Sequence, residues 1–270
     1  MSSPLVSSDW LQKNLSDPNL IILDASQQDN KAGLVASSGN LQIVGARVFD
    51  IKNTFSCSNS PFPNTLLKLE EFQEKCRELG IHTSSKIVVY DNLGIYTSPR
   101  VWWMFKLMGF EDISVLDGGL PDWIAQGYPT QKPVQTLFKR GDFNAVFDSS
   151  KVRDFNFLTE NLILKTALVI DARSANRFKG ITPEPRKGLR GGHIPNSINI
   201  PYTEVLDHGK FKTPKQLIEL FKRFEIKNHP LIFSCGSGIT ACILLLAAEL
   251  ALQNTKALYD GSWTEWAQLT

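Results

Sequence analysis

Residues 231–250 read LIFSCGSGITACILLLAAEL, and this stretch predicts the fold class. Its first apolar run has the length of a buried strand, and its second run has the length of a helix. Gly236 and Gly238 bracket the turn between them. A short buried strand that leads through such a turn into a helix is typical of an α/β domain with a parallel sheet. Cys235 stands where the strand ends.

The same pattern recurs along the chain and indicates a duplication. Five further apolar runs each stop at an aspartate, where the first one stops at Cys235. They are LIILD (20–24), KIVVYD (86–91), ISVLD (113–117), ALVID (167–171) and KALYD (256–260). Matched positions keep a nearly constant spacing: Asp24 and Asp171 lie 147 residues apart, Asp91 and Cys235 144, and Asp117 and Asp260 143. We therefore expect two tandem α/β domains, each a mainly parallel sheet flanked by helices.

The boundary between the two copies should lie where the pattern lapses. Residues 127–148 contain two prolines and show no sustained periodicity. The expected organisation is a first domain at 1–128, a linker at 129–148 and a second domain at 149–270. Thr213 to Gln216 reads as a capping box with proline at the first helical position, so a helix should begin there.

Composition excludes several classes of function. The chain has 270 residues, of which 29 are basic and 27 acidic, so neither a nucleic acid nor a membrane surface is expected as the main partner. The first residues show no secretory signal, which favours the cytoplasm and leaves a mitochondrial share open. Four cysteines without a CxxC pair argue against a disulfide scaffold and a zinc site. No metal and no organic cofactor is predicted.

Cys235 is the candidate nucleophile. Ligands of open α/β sheets collect at the carboxyl ends of strands, and a helix N-terminus offers free N–H groups and a positive dipole end. The backbone from Gly236 through Gly238, Ile239 and Thr240 could cradle a thiolate or a persulfide, Cys–S–S⁻. Asp91 takes the cysteine position in the first copy and cannot hold sulfane sulfur, so that copy should be inactive.

Two plainer interpretations compete with this one. A free cysteine is often only a small buried hydrophobe, and Cys76 and Cys242 fit that role, whereas Cys57 is a weak redox candidate. A cysteine phosphatase would need an arginine six residues after its cysteine, and that position is Ala241.

Several segments resemble the two-domain rhodanese family, and CGSGIT (235–240) is similar to the active-site loop of its 3-mercaptopyruvate sulfurtransferases. The others are SPRVWWMF (98–105), LDGGLPDW (116–123), DARSANRFKG (171–180), PEPRKGLRGGHIPNSINIP (183–201) and YDGSWTEW (259–266). The resemblance implies tandem rhodanese domains, a persulfide on Cys235, and a substrate carboxylate and carbonyl held by Arg177 and Arg186. Without it these two arginines would be interpreted as solvated surface residues. His193 matches a structural position.

The family has also been proposed to pair the loop serine, here Ser237, with a histidine and an acid from the first domain. Asn64 stands where the histidine is usual and Lys52 where the acid is usual. These two departures from the family pattern affect a complete proton relay more than they affect the persulfide chemistry.

Three functions remain open at this point. The first is an enzyme that transfers sulfur from a small anionic donor, 3-mercaptopyruvate, to thioredoxin, another thiol or cyanide; thiosulfate is an alternative donor. The second is a sulfur relay that takes persulfide from a cysteine desulfurase for tRNA thiolation or molybdenum-cofactor synthesis, without direct nucleic-acid contact. The third, a non-catalytic binding module, predicts no persulfide.

Overall fold

The computed structural model describes residues 3–30, 32–36, 38–134 and 136–270. The chain forms two compact units. Unit 1 comprises Met1–Ser58, Leu66–Phe147 and His208–Lys210, and unit 2 comprises Asn59–Thr65, Asp148–Asp207 and Phe211–Thr270. Each unit therefore contains a short segment from the other half of the sequence. The domain and linker bounds expected from the sequence stay predictions.

Unit 1 is built on a sheet of parallel strands. Its elements in chain order are β1 (Leu5–Val6), α1 (Ser8–Asn14), β2 (Leu20–Asp24), β3 (Gln42–Ile43), β4 (Arg47–Val48), α2 (Leu69–Glu78), β5 (Lys86–Tyr90), α3 (Ser98–Leu107), β6 (Ile113–Leu116), α4 (Gly119–Ala125) and β7 (Thr130–Gln131). The sheet has the order β1-β6-β5-β2-β4, and every pairing in it is parallel. Strands β3 and β7 form a separate antiparallel pair.

Unit 2 repeats this plan. Its elements are β8 (Val152–Arg153), α5 (Phe155–Leu164), β9 (Leu168–Asp171), α6 (Ala175–Phe178), β10 (Ile198–Asn199), β11 (Leu206–Asp207), β12 (Lys210–Phe211), α7 (Pro214–Lys222), β13 (Leu231–Ser234), α8 (Ala241–Ala251), β14 (Lys256–Tyr259) and α9 (Ser262–Leu269). The parallel sheet has the order β10-β9-β13-β14-β8. Strands β11 and β12 pair with each other.

The two sheets have the same topology, which confirms the predicted fold class. Strand β2 matches β9, β5 matches β13, and β6 matches β14, as the repeated apolar runs predict. In both units the strand that ends at the candidate position lies in the centre of its sheet. Central strands are covered on both faces, so their sequences are apolar without alternation.

Helices cover the sheets through their apolar faces. The predicted capping box is present at the start of α7, where Thr213 and Gln216 satisfy each other's backbone N–H groups. Helix α8 is buried from Ala241 to Ala248, which accounts for its long apolar run. In unit 1 the buried ring of Phe143 packs at 5.7 Å and 5.6 Å from those of Phe105 and Phe110, so part of the predicted linker belongs to this core.

Candidate active site

Cys235 follows directly on the central strand β13 of unit 2. The residue is buried, with 2% of its surface exposed. Its backbone N–H donates to the Ser262 hydroxyl at 3.2 Å, and its carbonyl accepts from the Trp263 N–H at 2.9 Å. Both partners begin α9. The first turn of this helix thus fixes the backbone from which the sulfur projects.

Residues 235–240, the Cys235 loop, join β13 to the N-terminus of α8. Gly238 has a φ of +79°, a conformation that glycine adopts without strain. Within the described part of the chain, no protein acceptor is bonded to the N–H groups of Gly236, Ser237, Ile239 and Thr240. The first three of these residues are buried. Because buried N–H groups are rarely left without a partner, this loop is suited to hold an anion beside the positive end of α8.

The matching loop of unit 1, residues 91–96, contains such an anion. Asp91 is fully buried, and its carboxylate oxygens accept four backbone hydrogen bonds at 2.9–3.0 Å, from Leu93, Tyr96, Thr97 and Ser98. The Ser98 hydroxyl adds a fifth bond at 2.7 Å. The repeat spacing of 144 residues places Cys235 opposite Asp91. The repeat therefore offers an internal example of this loop binding a negative side chain through its backbone.

The two loops share further geometry. Gly94 has a φ of +96° where the Cys235 loop has Gly238. The carbonyl of Asp91 accepts from the Leu120 N–H at 3.0 Å, which matches the bond between Trp263 and Cys235. The loops therefore have equal length and share the bond to the carbonyl of their first residue, whereas the bond from the Cys235 N–H to the Ser262 hydroxyl has no side-chain counterpart at Gly119.

Ser237 is held from two sides. Its hydroxyl oxygen lies 3.1 Å from a terminal nitrogen of Arg186 and 2.9 Å from the amide nitrogen of Asn64. The same nitrogen of Asn64 lies 3.3 Å from the Ser237 carbonyl. Asn64 has a φ of +61° and belongs to the Asn59–Thr65 segment of unit 2. The residue that stands at the usual histidine position is thus in contact with the predicted serine.

The two predicted arginines lie beside the Cys235 loop. A methyl group added to Gly236 would lie 3.1 Å from Arg177 and 3.7 Å from Arg186, so a glycine lets both guanidinium groups approach the backbone. Arg186 also donates to the Thr264 hydroxyl at 3.4 Å, and that hydroxyl donates to the Gly236 carbonyl at 2.5 Å. The arrangement provides two positive groups beside the Cys235 loop.

Glu184 holds Arg177 in this position. Its carboxylate accepts from Arg177 at 2.6 Å and from Arg173 at 2.8 Å, and it is almost fully buried. Arg173 is itself buried and forms a bidentate pair with Asp171 at the end of β9. Burial alone would lower the pKa of Arg173, but Asp171 and Glu184 outweigh burial and keep that pKa raised. The Arg173 guanidinium therefore keeps its charge.

Tyr202 lies close enough to Arg177 to respond to its charge. Burial raises the pKa of the Tyr202 phenol, and the nearby guanidinium opposes part of that rise. At neutral pH this side chain is a neutral hydrogen-bonding group at the edge of the arginine pair.

Sequence reasoning missed three residues of this site: Ser262, Thr264 and Glu184. A signal existed for Ser262, because the repeat spacing of 143 residues places it opposite Gly119. Both have a positive φ, +51° for Ser262 and +54° for Gly119. No comparable pattern marks Thr264 or Glu184. Thr264 bonds to Gly236, 28 residues earlier in the chain, and Glu184 reaches its two arginines from irregular backbone.

The remaining candidates lie outside this cluster. His193 stacks on Phe178 at 4.0 Å and contacts its carbonyl at 2.9 Å, as expected of a structural residue. Lys52 is exposed in unit 1. Burial raises the pKa of the Cys76 thiol well above its usual range, so this cysteine is unreactive. Cys57 is half-buried and forms no disulfide.

Two further findings concern membranes and metal ions. In the portion of the chain that the structure describes, no helix is both long and apolar enough to cross a membrane. Among the same residues, histidine, cysteine and acidic side chains form no group of three that could bind a metal ion.

Both halves of the chain match a known domain family. The profile of the rhodanese-like domain matches residues 7–126 and 156–269. The mouse 3-mercaptopyruvate sulfurtransferase is 38% identical over 97% of this chain and 91% of its own length. The thiosulfate sulfurtransferase of Cricetulus griseus is 36% identical over 97% and 91%. The crystal structure of the 3-mercaptopyruvate sulfotransferase SseA from Escherichia coli superposes with a TM-score of 0.84 at 35% identity, covering 97% of this chain and 99% of that one.

Proposed function

The chain belongs to the rhodanese-like domain family, and we propose that it is a sulfurtransferase that moves sulfur from 3-mercaptopyruvate to a thiol or to cyanide through a persulfide on Cys235. The observation that supports this best is the Cys235 loop. Among the residues that the structure describes, the buried N–H groups of Gly236, Ser237 and Ile239 are bonded to no protein acceptor, and the counterpart loop in unit 1 binds the Asp91 carboxylate. A persulfide is an anion of similar size at the same position.

The first half-reaction forms the persulfide. The Cys235 thiolate attacks the sulfur of 3-mercaptopyruvate, an S–S bond forms and the C–S bond breaks. The electron pair of that bond passes to the carbon skeleton as the enolate of pyruvate. The proton of the substrate thiol ends on the methyl carbon, so the products are Cys235–S–S⁻ and pyruvate. The loop N–H groups stabilise the sulfur anion before and after the transfer.

The second half-reaction regenerates the thiolate. A thiolate acceptor such as that of thioredoxin, or cyanide, attacks the outer sulfur of the persulfide. The electron pair of the S–S bond returns to Cys235, and the acceptor leaves with one additional sulfur atom. No metal and no organic cofactor takes part in either step.

Arg177 and Arg186 orient the donor. A 2-keto acid presents a carboxylate and a carbonyl, and a guanidinium group binds a carboxylate through two parallel hydrogen bonds. Glu184 neutralises part of the charge of Arg177, so the pair together carries close to one net positive charge toward the substrate. Unit 1 is catalytically inactive in this scheme, because Asp91 occupies the cysteine position.

A sulfur relay is the second candidate. Asn64 in place of the usual histidine favours a protein donor such as a cysteine desulfurase, because a protein donor arrives already activated as a persulfide. Thiosulfate is a further alternative donor, since a thiosulfate sulfurtransferase is among the relatives. In either case the working compartment keeps thiols reduced, as the cytoplasm or the mitochondrial matrix does.

Intact-protein mass spectrometry tests the proposal. The full chain is incubated briefly with 3-mercaptopyruvate, with thiosulfate, or with a cysteine desulfurase and cysteine, and its mass is then measured. We expect a gain of one sulfur atom from 3-mercaptopyruvate that Cys235→Ser abolishes and Cys57→Ser retains. A gain only in the desulfurase arm would establish the relay, and no gain in any arm would refute sulfur transfer.

A further inference from the structure

The hydrogen bonds around the Ser237 hydroxyl determine what this group can do in the reaction. A serine hydroxyl has one hydrogen to donate and two lone pairs that accept. Arg186 lies at 3.1 Å and can only donate. One lone pair of Ser237 is therefore occupied by a guanidinium N–H.

Asn64 occupies the other lone pair. An asparagine side chain could present either its oxygen or its nitrogen, but the group facing Ser237 also lies 3.3 Å from the Ser237 backbone carbonyl. A carbonyl only accepts, so the group that faces it must be the amide NH₂. The same NH₂ donates to the Ser237 hydroxyl at 2.9 Å.

The hydrogen of Ser237 is then directed away from both neighbours. Within the described portion of the chain, no protein oxygen or nitrogen accepts it. Ser237 is 8% exposed and follows Gly236, against which both arginines lie. The Ser237 hydroxyl therefore lies two residues after Cys235, on the loop beside which both arginines lie.

From these contacts we propose that Asn64 is a positioning residue that fixes Ser237 as a hydrogen-bond donor to the substrate, a role that rests on the proposed sulfur transfer. The acceptor is the keto oxygen of the donor, which becomes the enolate oxygen when the C–S bond breaks. Ser237 keeps its proton throughout, because neither a guanidinium N–H nor an amide NH₂ can take a proton from it. The proton of the substrate thiol reaches the methyl carbon by way of solvent.

This assignment differs from a proton relay in a measurable way. A relay needs a group that gains and loses a proton, so its removal changes the pH dependence of the rate. A fixed donor stabilises the developing charge by the same factor at every pH. Removal of one donor from an oxyanion site typically lowers kcat about 10²- to 10³-fold.

The experiment is a double-mutant cycle read by the rate of Cys235 persulfide formation from 3-mercaptopyruvate. The variants are Ser237→Ala, Asn64→Leu and Asn64→Asp, each Asn64 change being made in wild-type and in Ser237→Ala backgrounds. Leucine removes the donor, and aspartate reverses the bond, because a carboxylate accepts the Ser237 hydrogen. Asn59→Asp is the matched control: it places the same charge on the same segment at an exposed position. Thermal unfolding confirms that every variant is folded.

We expect Ser237→Ala to lower the loading rate about 100-fold without changing the shape of its pH profile. Asn64→Asp should lower the loading rate by about the same factor, and Asn64→Leu should lower it about tenfold. Asn59→Asp should leave the loading rate almost unchanged. In the Ser237→Ala background, Asn64→Leu should have no further effect, and Asn64→Asp should cost much less than in wild-type.

Three results would overturn the proposal. The first is a wild-type loading rate in Ser237→Ala, and the second is a changed pH profile of the loading rate in that variant. The third is a loss of loading rate from Asn64→Asp that is equally large in both backgrounds, because such a loss would come from repulsion of the substrate alone. A wild-type chain that 3-mercaptopyruvate fails to load would instead refute the proposed function itself.

Discussion

Replacement of Cys235 by aspartate should stabilise unit 2 while it abolishes sulfur transfer. The reason lies in unit 1, where an aspartate at the matching position accepts four backbone N–H bonds. If the Cys235 loop is an anion cradle, it should bind a carboxylate in the same manner. Cys235→Ala leaves the cradle empty, and Cys235→Asn fills it with a neutral group of nearly equal shape.

The magnitude follows from the matched N–H groups. Three of the four that bind Asp91 have counterparts at Ser237, Thr240 and Ala241. The fourth, on Cys242, already donates to the carbonyl of Ile239 at 3.1 Å. Hydrogen bonds to a charged group contribute about 1.5–3 kcal/mol each, so three contribute about 4.5–9 kcal/mol. Burial of the carboxylate costs several kcal/mol and leaves a net gain of about 2 kcal/mol over alanine.

The assay is thermal unfolding of the three variants at pH 7. For a chain of this size, about 2 kcal/mol corresponds to a rise in Tm of about 4–8 °C. We expect Cys235→Asp to unfold at a higher temperature than Cys235→Asn, and Cys235→Asn to unfold close to the temperature of Cys235→Ala. If Cys235→Asp unfolds at or below the temperature of Cys235→Ala, the loop N–H groups do not converge on the side chain, and the argument from unit 1 fails.

Further predictions concern the surrounding structure. Glu184→Gln removes the negative charge that Arg173 and Arg177 share, so we expect a loss of about 3 kcal/mol in urea unfolding and a raised KM; an unchanged urea midpoint would contradict this. Thr213→Ala removes the capping box of α7 and should cost about 1 kcal/mol, and no measurable loss would argue against the cap. Burial raises the pKa of Asp24, so its folded state binds a proton more tightly than the unfolded chain. The free energy of unfolding therefore falls as the pH rises through that raised pKa. Asp24→Asn should raise Tm at pH 7 but not below about pH 4, and an equal gain in Tm at both pH values would refute this prediction.

The strands and the repeat could be predicted, and the candidate nucleophile could be named, because their signals are local. Each buried strand is a short apolar run that ends at a polar residue, and the repeat spacing places Cys235 opposite Asp91 without any alignment to other proteins. The capping box at Thr213 is a four-residue signal. Such features depend on neighbours within a few positions, so the sequence shows them directly.

The hydrogen bonds and ion pairs that connect the residues of the site could not be predicted from local signals. Asn64 and Ser237 are 173 residues apart, and no periodicity connects them. Glu184 lies in a stretch of irregular backbone, so its two arginine partners are fixed only by the folded loop. The role of Arg177 and Arg186 likewise came from the family resemblance, because isolated arginines are ordinarily solvated.

The reciprocal segments of the two units have a consequence for the history of the chain. The compact unit that contains Cys235 also contains Asn59–Thr65, encoded in the half of the gene whose own cysteine position is an aspartate. Unit 1 in turn contains His208–Lys210. After the duplication, neither copy could be deleted without removing a piece of the other. The half whose cysteine position is an aspartate thus supplies part of the compact unit that contains Cys235.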